Sequence, residues 1–187
     1  MDIEECDTFE EFTDGGMKYV GWQLGTQKQA KLMSGKSIAM IPQTAKSQLS
    51  SVTYDVIAIG ESAFSGVRFG DNISLTIPEG IKRIEANALK NCSDLQTITL
   101  PSSLEVIGAS AFQSCTGLKL ITLPTNLTTI GDRAFYGCSN LVEVESKTNS
   151  IVDITDKSVF SDEDMILYIP STASESEYKK NGWNFLH

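Results

Sequence analysis

Pro101-Ser-Ser-Leu104-Glu-Val-Ile107-Gly108-Ala-Ser-Ala111-Phe112-Gln-Ser-Cys115-Thr-Gly-Leu118-Lys-Leu-Ile121-Thr-Leu123 decides the fold, because almost the same 23 residues precede it and follow it. Proline recurs at Pro78, Pro101 and Pro124, isoleucine at Ile84, Ile107 and Ile130, alanine at Ala88, Ala111 and Ala134, and cysteine at Cys92, Cys115 and Cys138. A fixed period in the twenties marks a supersecondary unit that cannot bury its apolar side alone and stacks on copies of itself. Within each unit Leu95-x-x-Ile98-x-Leu100, repeated as Leu118-x-x-Ile121-x-Leu123, alternates inward apolar with outward polar positions, as a strand does. Proline ends that strand, since it has no N–H for the ladder. Leu104-x-x-Ile107-Gly108 then reads as a second extended arm, and Ala111-Phe112 as a brief helical or 3-10 turn that buries a ring. Each unit is a flattened coil with two walls, and the chain is expected to be a leucine-rich repeat solenoid, a right-handed β-rich superhelix of about five coils of about 23 residues.

The string Leu-x-x-Ile-x-Leu-Pro-x-x-Leu-x-x-Ile-Gly-x-x-Ala-Phe-x-x-Cys resembles the leucine-rich repeats of the BspA-like family, cell-surface proteins of Bacteroides-type bacteria and some parasitic protists. Residues 54–170 carry the resemblance. Tyr54 to Phe64 resembles the family's entry into its first full repeat, and Leu167-Tyr-Ile-Pro170 followed by Tyr178 and Trp183 resembles its closing segment. The resemblance implies a surface-displayed recognition or adhesion role, an export signal removed before the chain begins, and membrane association only through segments outside it. It names no ligand.

Working outward, residues 1–16 hold Asp2, Glu4, Glu5, Asp7, Glu10, Glu11 and Asp14 with no lysine or arginine, so they carry most of the net charge of −9. With no apolar periodicity, this segment is expected to be a flexible acidic tail. Residues 17–53 read as an N-terminal β cap and an incomplete first coil: Met17–Leu24 and Lys28–Met33 flank Gly25-Thr26 as a hairpin, and Ile38-Ala-Met-Ile41-Pro42 imitates the strand-then-proline of later units. A cap is needed because an end coil exposes both core and strand edge. Residues 54–170 form the solenoid. Its first coil is longer, since Ala63 to Ala88 spans 25 positions with the excess near Val67–Asp71; its last is degenerate, with Ser146 and Lys147 replacing a leucine and a proline, and Ile154, Val159, Phe160 and Ile166 to Ile169 as core. Residues 171–187 are expected to form a C-terminal cap, a short helical segment around Tyr178–Asn181 with Trp183 and Phe185 folded back as a lid.

A near-neutral body behind an acidic segment offers no positive field for phosphates, so nucleic acid is not an expected partner. No window approaches the apolar length of a membrane-spanning helix. The only histidine is His187, and neither a nucleophile elbow nor a Gly-rich phosphate loop is present, so catalysis is not expected, nor is a cofactor. Cysteines 23 apart place sulfurs in a row without chelating C-x-x-C spacing, and side chains in register run parallel where a disulfide needs them facing, so neither metal nor bridge is expected. Asn72, Asn91 and Asn126 match the glycosylation sequon, and turn chemistry explains Asn91 and Asn126 equally well.

What remains is a surface. The outward positions of successive strands form rows: Ser74 and Thr76, Thr97 and Thr99, Leu120 and Thr122, Glu143 and Glu145. These eight residues are the candidate ligand-binding face for a protein or glycan, graded from neutral to acidic, on a chain expected to be a monomer. Two alternatives predict different features: a structural spacer needs only a polar, featureless face, whereas a polysaccharide-active solenoid needs a catalytic carboxylate pair, for which Glu143 and Glu145 are the nearest match.

Overall fold

In a computed structural model, the protein is described for residues 8–35, 41–70, 74–154, 158–161 and 165–183. Past Tyr54 it is a β-solenoid whose strands fall on two walls. One wall carries β5 (Thr53–Ile59), β7 (Arg83–Ile84), β9 (Val106–Ile107) and β11 (Thr129–Ile130) in parallel succession. The other carries β6 (Ser74–Thr76) paired with β8 (Thr97–Thr99), then β10 (Leu120–Leu123), β12 (Glu143–Ser146) and β13 (Ile166–Tyr168), again parallel. Between the walls the repeated isoleucines and leucines make one continuous core; Ile84, Ile107, Ile130, Leu95, Leu118 and Ile121 are fully buried.

The turn at Ala111-Phe112 is a hydrogen-bonded run with a division of labour, rather than a helical segment. The N–H groups of Ala111, Gln113 and Cys115 donate within the coil to Gly108, Ser110 and Phe112, whereas those of Ser110, Phe112 and Ser114 donate to Asp132, Ala134 and Tyr136 of the next coil. Alternating donors thus give even the turn a ladder to its neighbour, leaving few buried backbone groups without a partner. This is achieved with left-handed residues at Ser110 and Ser114, and one period away at Asn87 and Asn91.

The cysteines sit on the inner side of these turns. Cys92, Cys115 and Cys138 are buried free thiols whose S–H groups donate to the carbonyls of Phe64, Leu89 and Phe112 in the preceding coil, at 3.2, 3.1 and 3.1 Å. The adjacent Cys92 sulfur and burial push the Cys115 thiol far above its ordinary range, and burial pushes Cys138 up to about 12. Enclosed in the core, all three act as small apolar groups with one donor each. Cys6 and Asn72 lie outside the described residues.

The expected hairpin is present as β2 (Met17–Leu24) and β3 (Gln27–Ser34), and β3 pairs in parallel with β5, so the cap continues a solenoid wall. The expectation of a flexible tail to residue 16 is corrected for its described part. Thr8–Asp14 is strand β1, antiparallel to β2 through seven residue pairs, and Gly15-Gly16 turns between them with positive φ. A further strand, β4 (Thr44–Lys46), runs antiparallel to β5. Most of the expected first-coil segment at Ile38–Pro42 lies outside the described residues; Ile41 is buried.

The five strands β1-β2-β3-β5-β4 curl until β1 meets the β4 end, and acidic side chains close the gap. Asp14 accepts from the Lys46 backbone N–H at 2.9 Å; Glu10 accepts from Ser47 at 3.0 Å, Ser50 at 2.5 Å and the Tyr54 hydroxyl at 2.6 Å. Inside the curl Phe12 stacks between Tyr19 and Tyr54, at 5.4 and 5.3 Å. Burial alone would raise the Glu10 carboxyl, but the donors on Ser50, Tyr54 and Ser47 outweigh it and hold the group below the usual range. A depressed folded value means that the ionised latch contributes stability above the unfolded carboxyl range, near pH 4.3, and loses it as pH falls through the folded value. Glu10→Gln is therefore expected to cost about 1 kcal/mol at pH 7. In urea unfolding repeated at pH 3, the gap between the variant and the parent should narrow.

At the other end, α1 (Glu175–Lys180) begins three residues before the helical segment expected around Tyr178–Asn181 and caps the last coil. Rings form a column from the coils into this cap: Phe112 on Phe135 at 5.2 Å, Phe135 on Phe160 at 5.5 Å, and Phe160 tilted against Trp183 at 5.9 Å. Trp183 is buried and its indole N–H donates to the Val152 carbonyl at 2.7 Å, fulfilling its expected place as a lid; Phe185 lies outside the described residues. The leucine-to-serine change at Ser146 also has a reason. Its buried hydroxyl bonds the Tyr178 hydroxyl of α1 at 2.9 Å and Thr148 at 3.0 Å, so the coil that loses its apolar closure gains a polar anchor for the cap.

Candidate functional site

Backbone register places the outward side chains of the second wall opposite one another. On β6 and β8, Ser74 stands beside Thr97 and Thr76 beside Thr99. On β10 and β12, Leu120 stands beside Glu143 and Thr122 beside Glu145. Alternation sends the residues between them inward, where Leu75, Ile98, Ile121 and Val144 are buried. The eight positions thus share one face, but β6-β8 and β10-β12-β13 are separate ladders, and the face consists of two panels meeting at a seam.

The seam is concave. A groove of about 510 Å³ runs along it, bordered by Thr97, Thr99, Leu120 and Thr122, with Glu79 and Lys147 at its rim. A second depression of about 360 Å³ lies on the adjoining panel, bordered by Leu120, Thr122, Glu143, Glu145 and Tyr168. Six of the candidates border these two hollows and share Leu120 and Thr122, whereas Ser74 and Thr76 stand exposed at the far end and border neither.

Charge on the face is partly spoken for. Glu145 accepts from the Thr122 hydroxyl at 3.0 Å and pairs with Lys147 at 3.3 Å. Glu143 has no ion pair or side-chain hydrogen bond among the described residues. Glu79, at the rim, accepts from the Ser102 backbone at 2.8 Å, the Ser102 hydroxyl at 3.0 Å and the Ser103 backbone at 3.2 Å; the Ser102 backbone bond leads in holding its carboxyl below the usual range. It ties one coil's turn to the next and is structural in its present contacts. Among the described residues no group of three or more His, Cys, Asp or Glu side chains is placed to hold a metal ion.

The expected grading from neutral to acidic is incomplete, because β13 adds a fifth row. Ile166 stands beside Glu143 and Tyr168 beside Glu145, and they are 39% and 51% exposed. The expectation of Ile166 to Ile169 as core is corrected at these two positions: both lie one period beyond the glutamates, and alternation along β13 buries Leu167 between them while turning Ile166 and Tyr168 outward. Glu143 is flanked by apolar side chains on both sides, Leu120 and Ile166, and Glu145 by Thr122 on one side and Tyr168 on the other.

Comparison with known proteins places these observations. The sequence profile of the BspA type leucine rich repeat region matches residues 44–170, in six copies. Among solved structures, a leucine-rich repeat protein from Bacteroides capillosus aligns over 86% of this chain and 99% of its own, with 21% identity and a TM-score of 0.56. A T. pallidum leucine rich repeat protein aligns over 95% and 99%, with 17% identity and a TM-score of 0.56. The pneumococcal vaccine antigen PcpA aligns over 86% of this chain but 45% of its own, with 19% identity and a TM-score of 0.55. At these identities the likeness is one of fold. No curated protein matches the chain.

Proposed function

The chain belongs to the BspA-type leucine-rich repeat family, and from that premise we propose that it is a non-catalytic recognition or adhesion module of the bacterial cell surface, binding an extracellular protein or glycan through the outward face of its second wall. The observation that carries this reading is the concave seam: six side chains that the fold does not need for its core are aligned by register around two adjoining hollows. Most small-ligand and partner sites are concave and combine apolar surface with a few fixed polar groups, as this one does. The likeness to a protein described as a vaccine antigen supports display outside the cell. Glu143 and Glu145 stand on an open strand with Glu145 already paired, which supports recognition rather than turnover.

The test is a binding screen of the purified monomer against extracellular-matrix proteins and a glycan array, run beside Thr97→Arg/Thr122→Arg. Both positions border the seam groove and lie outside the core, so the double variant should keep the parent's thermal unfolding. Saturable binding that falls at least tenfold in the variant is the expected result. Binding retained in full would move the site to the turns or the caps; binding to nothing would favour a spacer, which the small hydroxyls of the first panel also suit.

A further inference from the structure

We propose that the second panel of this face takes an extended peptide carrying a lysine or arginine two residues from an apolar side chain; this deepens the strand-face reading and rests on it. In register, Glu143 lies between Leu120 and Ile166, and Glu145 between Thr122 and Tyr168. Leu120, Ile166 and Tyr168 are 44%, 39% and 51% exposed, which leaves apolar surface on either side of a carboxylate. Any ligand that covers the two aliphatic groups also takes Glu143 out of water. Burying a lone carboxylate is costly unless a cation comes with it, and Glu143 has no ion pair among the described residues. Lys147, which borders the adjoining groove, is held by Glu145 at 3.3 Å. The ligand must bring its own.

The neighbouring ring sharpens the choice. Tyr168 is half exposed at the edge of the same depression, and its face is a second attraction for a cationic side chain already drawn to Glu143. A glycan can donate hydroxyl hydrogen bonds to Glu143 but brings no cation to neutralise it. A purely apolar segment would bury Glu143 unpaired. A peptide with a basic side chain two residues from an apolar one meets both demands, because alternation puts residues i and i+2 of an extended segment on the same face, toward the panel.

The test uses the full chain and a displayed random heptapeptide library. Peptides selected on the parent chain should be enriched in lysine or arginine two residues from an apolar residue. Their affinity should fall about tenfold or more in Glu143→Gln and be lost in Glu143→Lys, with binding to Glu143→Lys recovered when the peptide's basic residue is changed to glutamate. Tyr168→Ser should weaken basic peptides more than their neutral counterparts. Both positions are on the surface, so unchanged thermal unfolding shows that the variants are folded. Selection of acidic or purely apolar peptides, of none, or of basic peptides indifferent to Glu143 overturns the proposal. Should matrix or glycan ligands be lost in Thr97→Arg/Thr122→Arg while no Glu143-dependent peptide exists, the strand face stands and the peptide reading falls. Should Glu143-dependent peptides exist while the screen's ligands ignore both sets of substitutions, the reverse holds.

Discussion

Ile107→Asp is expected to abolish the cooperative unfolding transition of the solenoid. Ile107 is wholly buried on β9, with Ile84 of the coil below and Ile130 of the coil above as its register partners. The substitution removes a packed side chain, worth about 2–5 kcal/mol when truncated in a core, and places there a carboxylate with no cation to meet it. Total stability for a domain of this size is about 5–15 kcal/mol, so the two losses together consume most of it. Because each coil has only its neighbours to lean on, damage at a central coil separates the N-terminal cap from the C-terminal one. Circular dichroism on heating should show a broad, weak transition, whereas Ile107→Val should keep a sharp one at a cost of about 1 kcal/mol.

Gly131→Val is expected to be nearly as damaging for a different reason. A Cβ built on Gly131 would lie 2.4 Å from the Ala109 backbone nitrogen and 2.6 Å from the Gly108 carbonyl carbon. Gly108 has the same relation to the coil below, 2.7 Å from the Ala86 nitrogen. The glycine of the Ile-Gly step is thus where successive backbones pass in contact, and a backbone cannot swing aside as a side chain can. A branched side chain at this point must push two coils apart and stretch the ladder beside it, where the Gly131 N–H donates to the Ile107 carbonyl at 2.8 Å. Overpacking of this kind costs about 3 kcal/mol or more. Urea unfolding should show a midpoint lowered accordingly, with Gly131→Ala intermediate.

These two residues illustrate what the sequence makes legible. Isoleucine and glycine recurring at one period state both the inward column and the tight step, because a solenoid repeats its physical demands once per coil. The outward rows follow by alternation, and register has placed all eight where the pattern put them. What one residue contributes only once is harder to read. β1 escaped notice because its inward positions are Glu10, Phe12 and Asp14, and two of the three face polar partners on Ser47, Ser50, Tyr54 and Lys46 instead of a core. A strand whose buried side is acidic has no apolar period to detect. The left-handed conformation at Ser110 and Ser114 is signalled only one period away, where the same positions are Asn87 and Asn91. Ser146 looked like decay of the repeat until Tyr178 supplied its partner.

The same distinction bears on the site. Shape and register are inherited from the repeat, whereas the proposed specificity rests on Leu120, Glu143, Ile166 and Tyr168, which depart from the serine and threonine pattern of the earlier coils. A repeat fixes a scaffold, and function is carried by the side chains it leaves free.

The most direct test of a working strand face is a map of amide chemical-shift changes on the isotopically labelled chain as a ligand from the screen is added. Shifts concentrated at Thr97, Thr99, Leu120, Thr122, Glu143 and Glu145, with Ala111 to Cys115 unmoved, are the expected result. Shifts confined to the turns at Ala111 to Cys115 or to the two caps would contradict it.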